Sequence, residues 1–253
     1  MNDLVDQPLR RQWFPVARCQ EVGFRHIHRS QLLNQELAIW RDDDGGINVW
    51  ENRCAHRGTR LSIGTNTGTE IKCQYHGWRY ASQSGQCSFI PAHPDMKPSS
   101  RYCVNTFECI EKCGYVWVKL ENEGDSEPLL PLSDGEAFTT LRSAYVNASV
   151  TGIRDWLITD YESVFKASNS GLESSLIGIT QHHPFLLEAI ASNQNDNKPV
   201  TMFIYLHPLT DEVTAIHPLV NVDIPHEKRL EAHRHYNRLF RTIRNVIEAD
   251  HVR

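Results

Sequence analysis

The chain has 253 residues, 40% hydrophobic and 23% charged, with a formal net charge of -5. This is the make-up of a soluble globular protein of one or two domains. The charge argues against a nucleic-acid or anionic-membrane partner, and no segment approaches the roughly 18 uninterrupted apolar residues of a membrane span. The opening residues Met1 to Gln7 show no basic region followed by an apolar run, so a cytoplasmic protein is expected.

In chain order, Trp13 to Ala17 read as an edge strand. Leu37 to Trp40 and Ile47 to Trp50 alternate on either side of Asp42-Asp43-Asp44-Gly45-Gly46, which predicts a hairpin. Next come Cys54-Ala55-His56-Arg57-Gly58 and, after a gap, Cys73-Gln74-Tyr75-His76-Gly77-Trp78. One residue separates Cys54 from His56, sixteen separate His56 from Cys73, and two separate Cys73 from His76. The pattern therefore predicts two loops, each offering one thiolate and one imidazole. The spacing leaves two metals open: a 2Fe-2S cluster with two cysteines on one iron and two histidines on the other, or one tetrahedral zinc ion.

Trp78 to Tyr80 and the Ser84-Gly85-Gln86 turn predict a strand and turn, Ile90 to Ala92 an extended exit, and Gly114 to Leu120 a closing strand. Residues 121–136 hold six acidic residues, no Lys or Arg, two Pro and two Gly. This reads as a linker, and it divides the chain into domains at 1–135 and 136–253. Beyond it, Ala144 to Val150 read as a strand, while Ile153, Trp156, Leu157, Tyr161, Val164 and Phe165 mark an amphipathic helix. Residues 174–191 are mixed and 192–198 polar. Two paired strands follow at Val200 to Leu206 and Val213 to Val222, and a long helix runs from Leu230 to Ile247.

Seven cysteines is an odd number, which favours reduced thiols and metal ligation over a disulfide framework. Cys109 and Cys113 have no histidine near them in sequence and read as small buried residues. His182 and His183, adjacent in sequence, point to opposite faces if they lie on a strand. His226, His233 and His235 read as surface imidazoles of the last helix, and His26 and His28 carry no further signal.

The flanks Cys-x-His-Arg-Gly and Cys-x-Tyr-His-Gly-Trp closely resemble the Rieske domain of Rieske-type non-heme iron oxygenase α subunits. The resemblance implies an α+β chain: an N-terminal all-β Rieske domain, like that of iron-sulfur proteins, followed by a shortened helix-grip domain. It implies Cys54, His56, Cys73 and His76 as 2Fe-2S ligands. Respiratory Rieske domains carry an extra cysteine in each loop, joined as a disulfide; here those places hold Thr59 and Tyr75. That places the domain with the oxygenase type, and His56 and His76 are expected at the exposed tip, with Trp78 packed beneath the cluster.

After residue 120 the resemblance weakens. The family's mononuclear iron uses two histidines in the pattern Asn-x-x-Asp-x-x-His-x4-His and a carboxylate from the last helix. Anchored on Asp160, the pattern puts Leu157 in place of the Asn and Ser163 and Ser168 in place of the histidines. Serine is a poor neutral ligand for Fe(II), so no tightly held mononuclear iron is expected. Asp160 matches the aspartate that bridges electron transfer between subunits, and Asp250 resembles a remnant of the carboxylate ligand.

The segment from Ser163 to Asp250 looks short for a full substrate pocket, which agrees with a degenerate oxygenase domain. No Gly-x-Gly-x-x-Gly, phosphate-binding loop or second cysteine cluster is visible. The resemblance therefore implies a separate NAD(P)H-dependent reductase or ferredoxin as electron donor. It also implies a trimer-like ring, alone or with an intact oxygenase α subunit. Two functions follow from it: an electron-transfer subunit of an oxygenase system, or an active oxygenase with a non-standard iron site that hydroxylates or demethylates a small aromatic or methylated compound.

Overall fold

A computed structural model describes residues 7–124, 127–130, 138–160, 176–191, 200–221, 224 and 226–250. The chain divides into two compact units between Leu129 and Leu130, inside the acidic stretch.

In residues 5–129, a single helical turn, α1 (Gln7–Arg10), precedes β1 (Phe14–Arg18), β2 (Ile27–Leu32), β3 (Gln35–Arg41) and β4 (Ile47–Glu51). Four short strands follow: β5 (Thr65–Asn66), β6 (Glu70–Lys72), β7 (Arg79–Ala81) and β8 (Cys87–Phe89). The unit closes with β9 (Thr106–Lys112) and β10 (Tyr115–Lys119). Six strands form one antiparallel sheet in the order β1-β10-β9-β4-β3-β2, and the four short ones form a second, β5-β6-β7-β8. β1 lies at an edge, where Pro15 costs no ladder bond.

The expected hairpin is β3–β4, paired from Leu37↔Glu51 to Arg41↔Ile47. In its turn the Gly46 N–H donates to Asp42 Oδ1 at 2.7 Å, and Gly45 has φ +86°, a left-handed conformation that favours glycine. Asp42 also accepts from the Ser82 hydroxyl and from Gln83 Nε2 at 3.0 Å, and Asn48 Oδ1 accepts from the Gln83 N–H at 2.7 Å. The hairpin of the first sheet is thereby tied to the turn between β7 and β8 of the second. Ala38, Trp40 and Trp50 from the first sheet join Leu61, Ile71, Trp78 and Tyr80 in one buried core. Cys54 and Cys73 belong to that core as well.

In residues 130–253, β11 (Thr139–Thr140) and β12 (Ala144–Val146) pair in succession with one edge of β16 (Thr214–Val220). The sheet continues from β16 through β15 (Val200–Pro208) and β14 (Leu186–Ala191) to β13 (Leu176–His183). The mixed segment 174–191 therefore holds a hairpin that its irregular patterning did not predict. The strand expected to run to Val150 stops at Val146, because Ser149 caps a helix, α2 (Val150–Thr159), by accepting from the Gly152 N–H at 3.1 Å. Asp160 ends α2, short of the expected span to Phe165; residues 161–175 lie outside the described residues. The C-terminal helix α3 (His226–Asp250) matches expectation. Ile153 and Leu157 of α2 and Leu239, Phe240, Ile243 and Ile247 of α3 pack against Leu187, Met202, Ile204, Leu206, Ile216 and Val220 on one face of the sheet.

Candidate metal centre

The two cysteine–histidine loops fold in the same way. In the first, the Cys54 N–H donates to Thr59 O and the Gly58 N–H to Cys54 O, both at 2.8 Å. In the second, the Cys73 N–H donates to Trp78 O at 2.8 Å and the Gly77 N–H to Cys73 O at 3.1 Å. Gly58 and Gly77 each take φ +70° in order to close these turns. The first loop leaves β4, and the second joins β6 to β7.

This folding brings the four expected ligands together. Cys54 and Cys73 are buried, at 4% and 2% exposure, and neighbour one another in the same core. The His56 and His76 rings lie 4.7 Å apart, His56 half-buried and His76 exposed. Trp78, on which an indole beneath the cluster was expected, stacks flat on His56, with 4.5 Å between centroids and 3° between planes. Burial, with His76 and Arg57 nearby, holds the His56 imidazole below its ordinary pKa and favours the neutral, ligating form.

Burial also pushes the Cys73 thiol up. The Tyr75 and His76 N–H groups at the sulfur oppose this, while the Cys54 thiol adds to it. Tyr80, fully buried, lies with its hydroxyl 3.1 Å from Cys54 Sγ. Sequence reasoning passed over Tyr80; the only available signal was its place two residues beyond Trp78, on the same face of a strand.

The donors suit a two-iron cluster. His56 Nδ1 is buried without a hydrogen-bond partner, a costly state for a ring nitrogen that a metal bond relieves. The Tyr80 hydroxyl of β7 lies at Cys54 Sγ and the Tyr75 and His76 backbone of the second loop lies near Cys73 Sγ, as electron-rich cluster sulfur requires.

The remaining expected residues are placed separately. Asp160 is exposed at the end of α2, and its Oδ2 accepts from Thr159 Oγ1 at 2.9 Å. Ser163 and Ser168 lie outside the described residues, and Asp250 is described only as the last residue of α3. His182 Nε2 pairs with Glu188 Oε2 at 2.6 Å across the β13–β14 hairpin, and His183 Nδ1 accepts from the Phe185 N–H. His235 lies edge-on to Tyr236. A buried chain escaped the sequence reading: Ser143 Oγ is 2.7 Å from His217 Nδ1, and His217 Nε2 is 3.0 Å from His207 Nδ1. Both imidazoles are 1% exposed on paired, largely apolar strands, where polar neighbours satisfy one another.

No helix among the described residues is long and apolar enough to cross a membrane. Residues 12–108 match the Rieske [2Fe-2S] domain family. The chain is 36% identical over 245 residues to the oxidoreductase NdmD of Pseudomonas putida, covering 94% of this chain and 40% of that protein. It is 38% identical over 137 residues to the methylxanthine N3-demethylase NdmB of the same organism, covering 50% of this chain and 38% of that one. The chain thus spans well under half the length of these two relatives. Among solved structures, NdmA of P. putida CBB5 superposes with a TM-score of 0.76 at 22% identity, over 95% of this chain and 81% of that one. Residues 12–108 are a Rieske 2Fe-2S domain, and the chain that carries them is similar in sequence and fold to the α subunits of Rieske non-heme iron oxygenases.

Proposed function

We propose that the chain is the Rieske electron-transfer component of a non-heme iron oxygenase system. Cys54 and Cys73 hold one iron of the 2Fe-2S cluster, and His56 and His76 hold the other. The observation that carries this reading is the complete paired-loop donor set on a chain that has Ser163 and Ser168 at the family's histidine positions. The relatives support it: similarity to the oxidoreductase NdmD runs through both halves, whereas similarity to the demethylase NdmB covers half the chain.

When bound, the cluster supplies one-electron chemistry at the protein surface. The protein's part is to hold and tune that site. Trp78 fixes the plane of His56, and the Tyr80 hydroxyl together with the Tyr75 and His76 N–H groups donates to the cysteine sulfurs. His76 stays exposed, where a partner can approach. The reading calls for a separate NAD(P)H-dependent reductase or ferredoxin as donor, and an intact oxygenase α subunit as acceptor.

Metal and sulfide analysis of the purified chain tests this directly. Two irons and two sulfides per chain with a Rieske visible and EPR signature are expected, and His56→Ala abolishes that signature. A third iron that a chelator removes while the cluster survives, accompanied by oxygen uptake when a reductase is added, would identify an active oxygenase instead.

A further inference from the structure

Resting on that reading, we infer that Tyr102 is a positioning residue for the cluster: it wedges the Trp78 indole flat against His56 and so fixes the plane in which that imidazole meets its iron. A metal-ligating histidine usually takes its orientation from a hydrogen bond at the ring nitrogen that faces away from the metal. Among the described residues the His56 ring makes no hydrogen bond, and its buried Nδ1 is the atom left for the iron. A ring tied through a single metal–nitrogen bond can turn about that bond. Its plane is therefore set by what packs on its face.

That face is taken by Trp78, 4.5 Å away between centroids and 3° from parallel. The Trp78 indole likewise has no hydrogen-bond partner among the described residues, so packing holds this ring too. Its other aromatic neighbour is Tyr102, at 5.2 Å and 64°, the edge-to-face geometry in which a positive ring edge meets a negative ring face. The three rings run in series from the half-buried ligand out to a tyrosine that is 39% exposed. Tyr102 lies outside the buried core around the cysteines, so the fold itself gains little from its side chain.

The backbone nevertheless holds Tyr102 at both of its peptide groups. Its N–H donates to Ser99 O at 2.9 Å, and its carbonyl accepts from the Cys87 N–H at 2.8 Å and from Gln86 Nε2 at 3.2 Å. The next residue, Cys103, bridges to Gln86. β8 and the residue before it thus carry the tyrosine at a fixed distance from Trp78. At the other end of the same segment, Ile90 is buried in the core, and Pro91 Cγ lies 3.1 Å from the position a Cβ on Gly77 would take. Residues 91–102 therefore brace the second cluster loop at two points, Pro91 at Gly77 and Tyr102 at Trp78.

Pulsed EPR of the dithionite-reduced, cluster-loaded chain tests the inference, because it resolves the couplings of the two ligand-histidine nitrogens separately. Tyr102→Ala is expected to shift one coupling and leave the other unchanged. Iron release to a strong chelator should speed up about tenfold, the lower end of what losing a supporting partner costs in metal affinity. Tyr102→Phe keeps the ring and should match the wild type in both measurements. Should Tyr102→Ala fail to load iron, Tyr102→Leu carries the same expectation, since an aliphatic chain presents no ring edge to the indole. Couplings and a release rate that stay at wild-type values in the loaded variant overturn the inference while leaving the electron-transfer reading intact. Two couplings that shift together, or a Tyr102→Phe change equal to that of Tyr102→Ala, overturn it as well. A wild-type chain that shows no Rieske signal even after dithionite overturns both.

Discussion

Under the proposed function, Tyr80 is the side chain set to tune the centre. Its hydroxyl is buried 3.1 Å from Cys54 Sγ, and burial, followed by the neighbouring Cys54 sulfur, pushes its pKa far above the ordinary tyrosine value. It therefore remains a protonated donor at every physiological pH. A hydrogen bond to cluster sulfur favours the reduced, more negative state, so its removal lowers the potential. Tyr80→Phe keeps the ring that packs in the core and removes only the donor. A differential of about 1.4 kcal/mol corresponds to about 59 mV for a one-electron couple. A fall of that order, measured by redox titration of the cluster EPR signal, is expected; an unchanged potential would remove Tyr80 from the tuning.

Among the elements, the β3–β4 hairpin and the β7–β8 turn are joined through Asp42. This carboxylate is 6% exposed; burial alone would raise its pKa, but donors on Ser82, Gln83, Gly46 and Asn48 outweigh that and hold it below the usual aspartate value. A carboxyl depressed in the folded state stabilises fully above its unfolded pKa, near 4, and that contribution is lost as pH falls through the folded value. Asp42→Asn replaces an all-acceptor group with one that confronts these donors with N–H, and should cost about 1–3 kcal/mol at pH 7. Urea unfolding followed by tryptophan fluorescence should show the gap between wild type and variant narrowing at pH 3. A gap that holds constant with pH would mean that the charge contributes nothing.

At the scale of the whole molecule, the four proposed ligands and the donors to their sulfurs all fall within residues 5–129. Both sheets of that unit share the core in which Cys54 and Cys73 sit. A chain ending at Leu129 is expected to take up two irons and show the same visible spectrum as the full chain. A colourless product that is nonetheless folded by circular dichroism would mean that the second unit completes the site.

Sequence alone determined the features that are local in the chain. The Cys54–His56 and Cys73–His76 spacing, the two turn glycines, the Asp-Gly hairpin and the apolar face of the last helix each reside in a few adjacent residues whose periodicity or backbone demand is legible directly. The start of α2 was misread because β-branched Val150 suits a strand, and only the bond from Gly152 to Ser149 reveals the cap. Tertiary structure alone decided which distant groups meet: Tyr80 with Cys54, Asp42 with Ser82, His207 with His217, and three arginines with Glu36. Hydrogen bonds and ion pairs carry no periodicity along a chain, so these partners become visible only when the strands are in register. The same assembly sets both loops of the motif on one buried core, with His56 half-buried and His76 exposed.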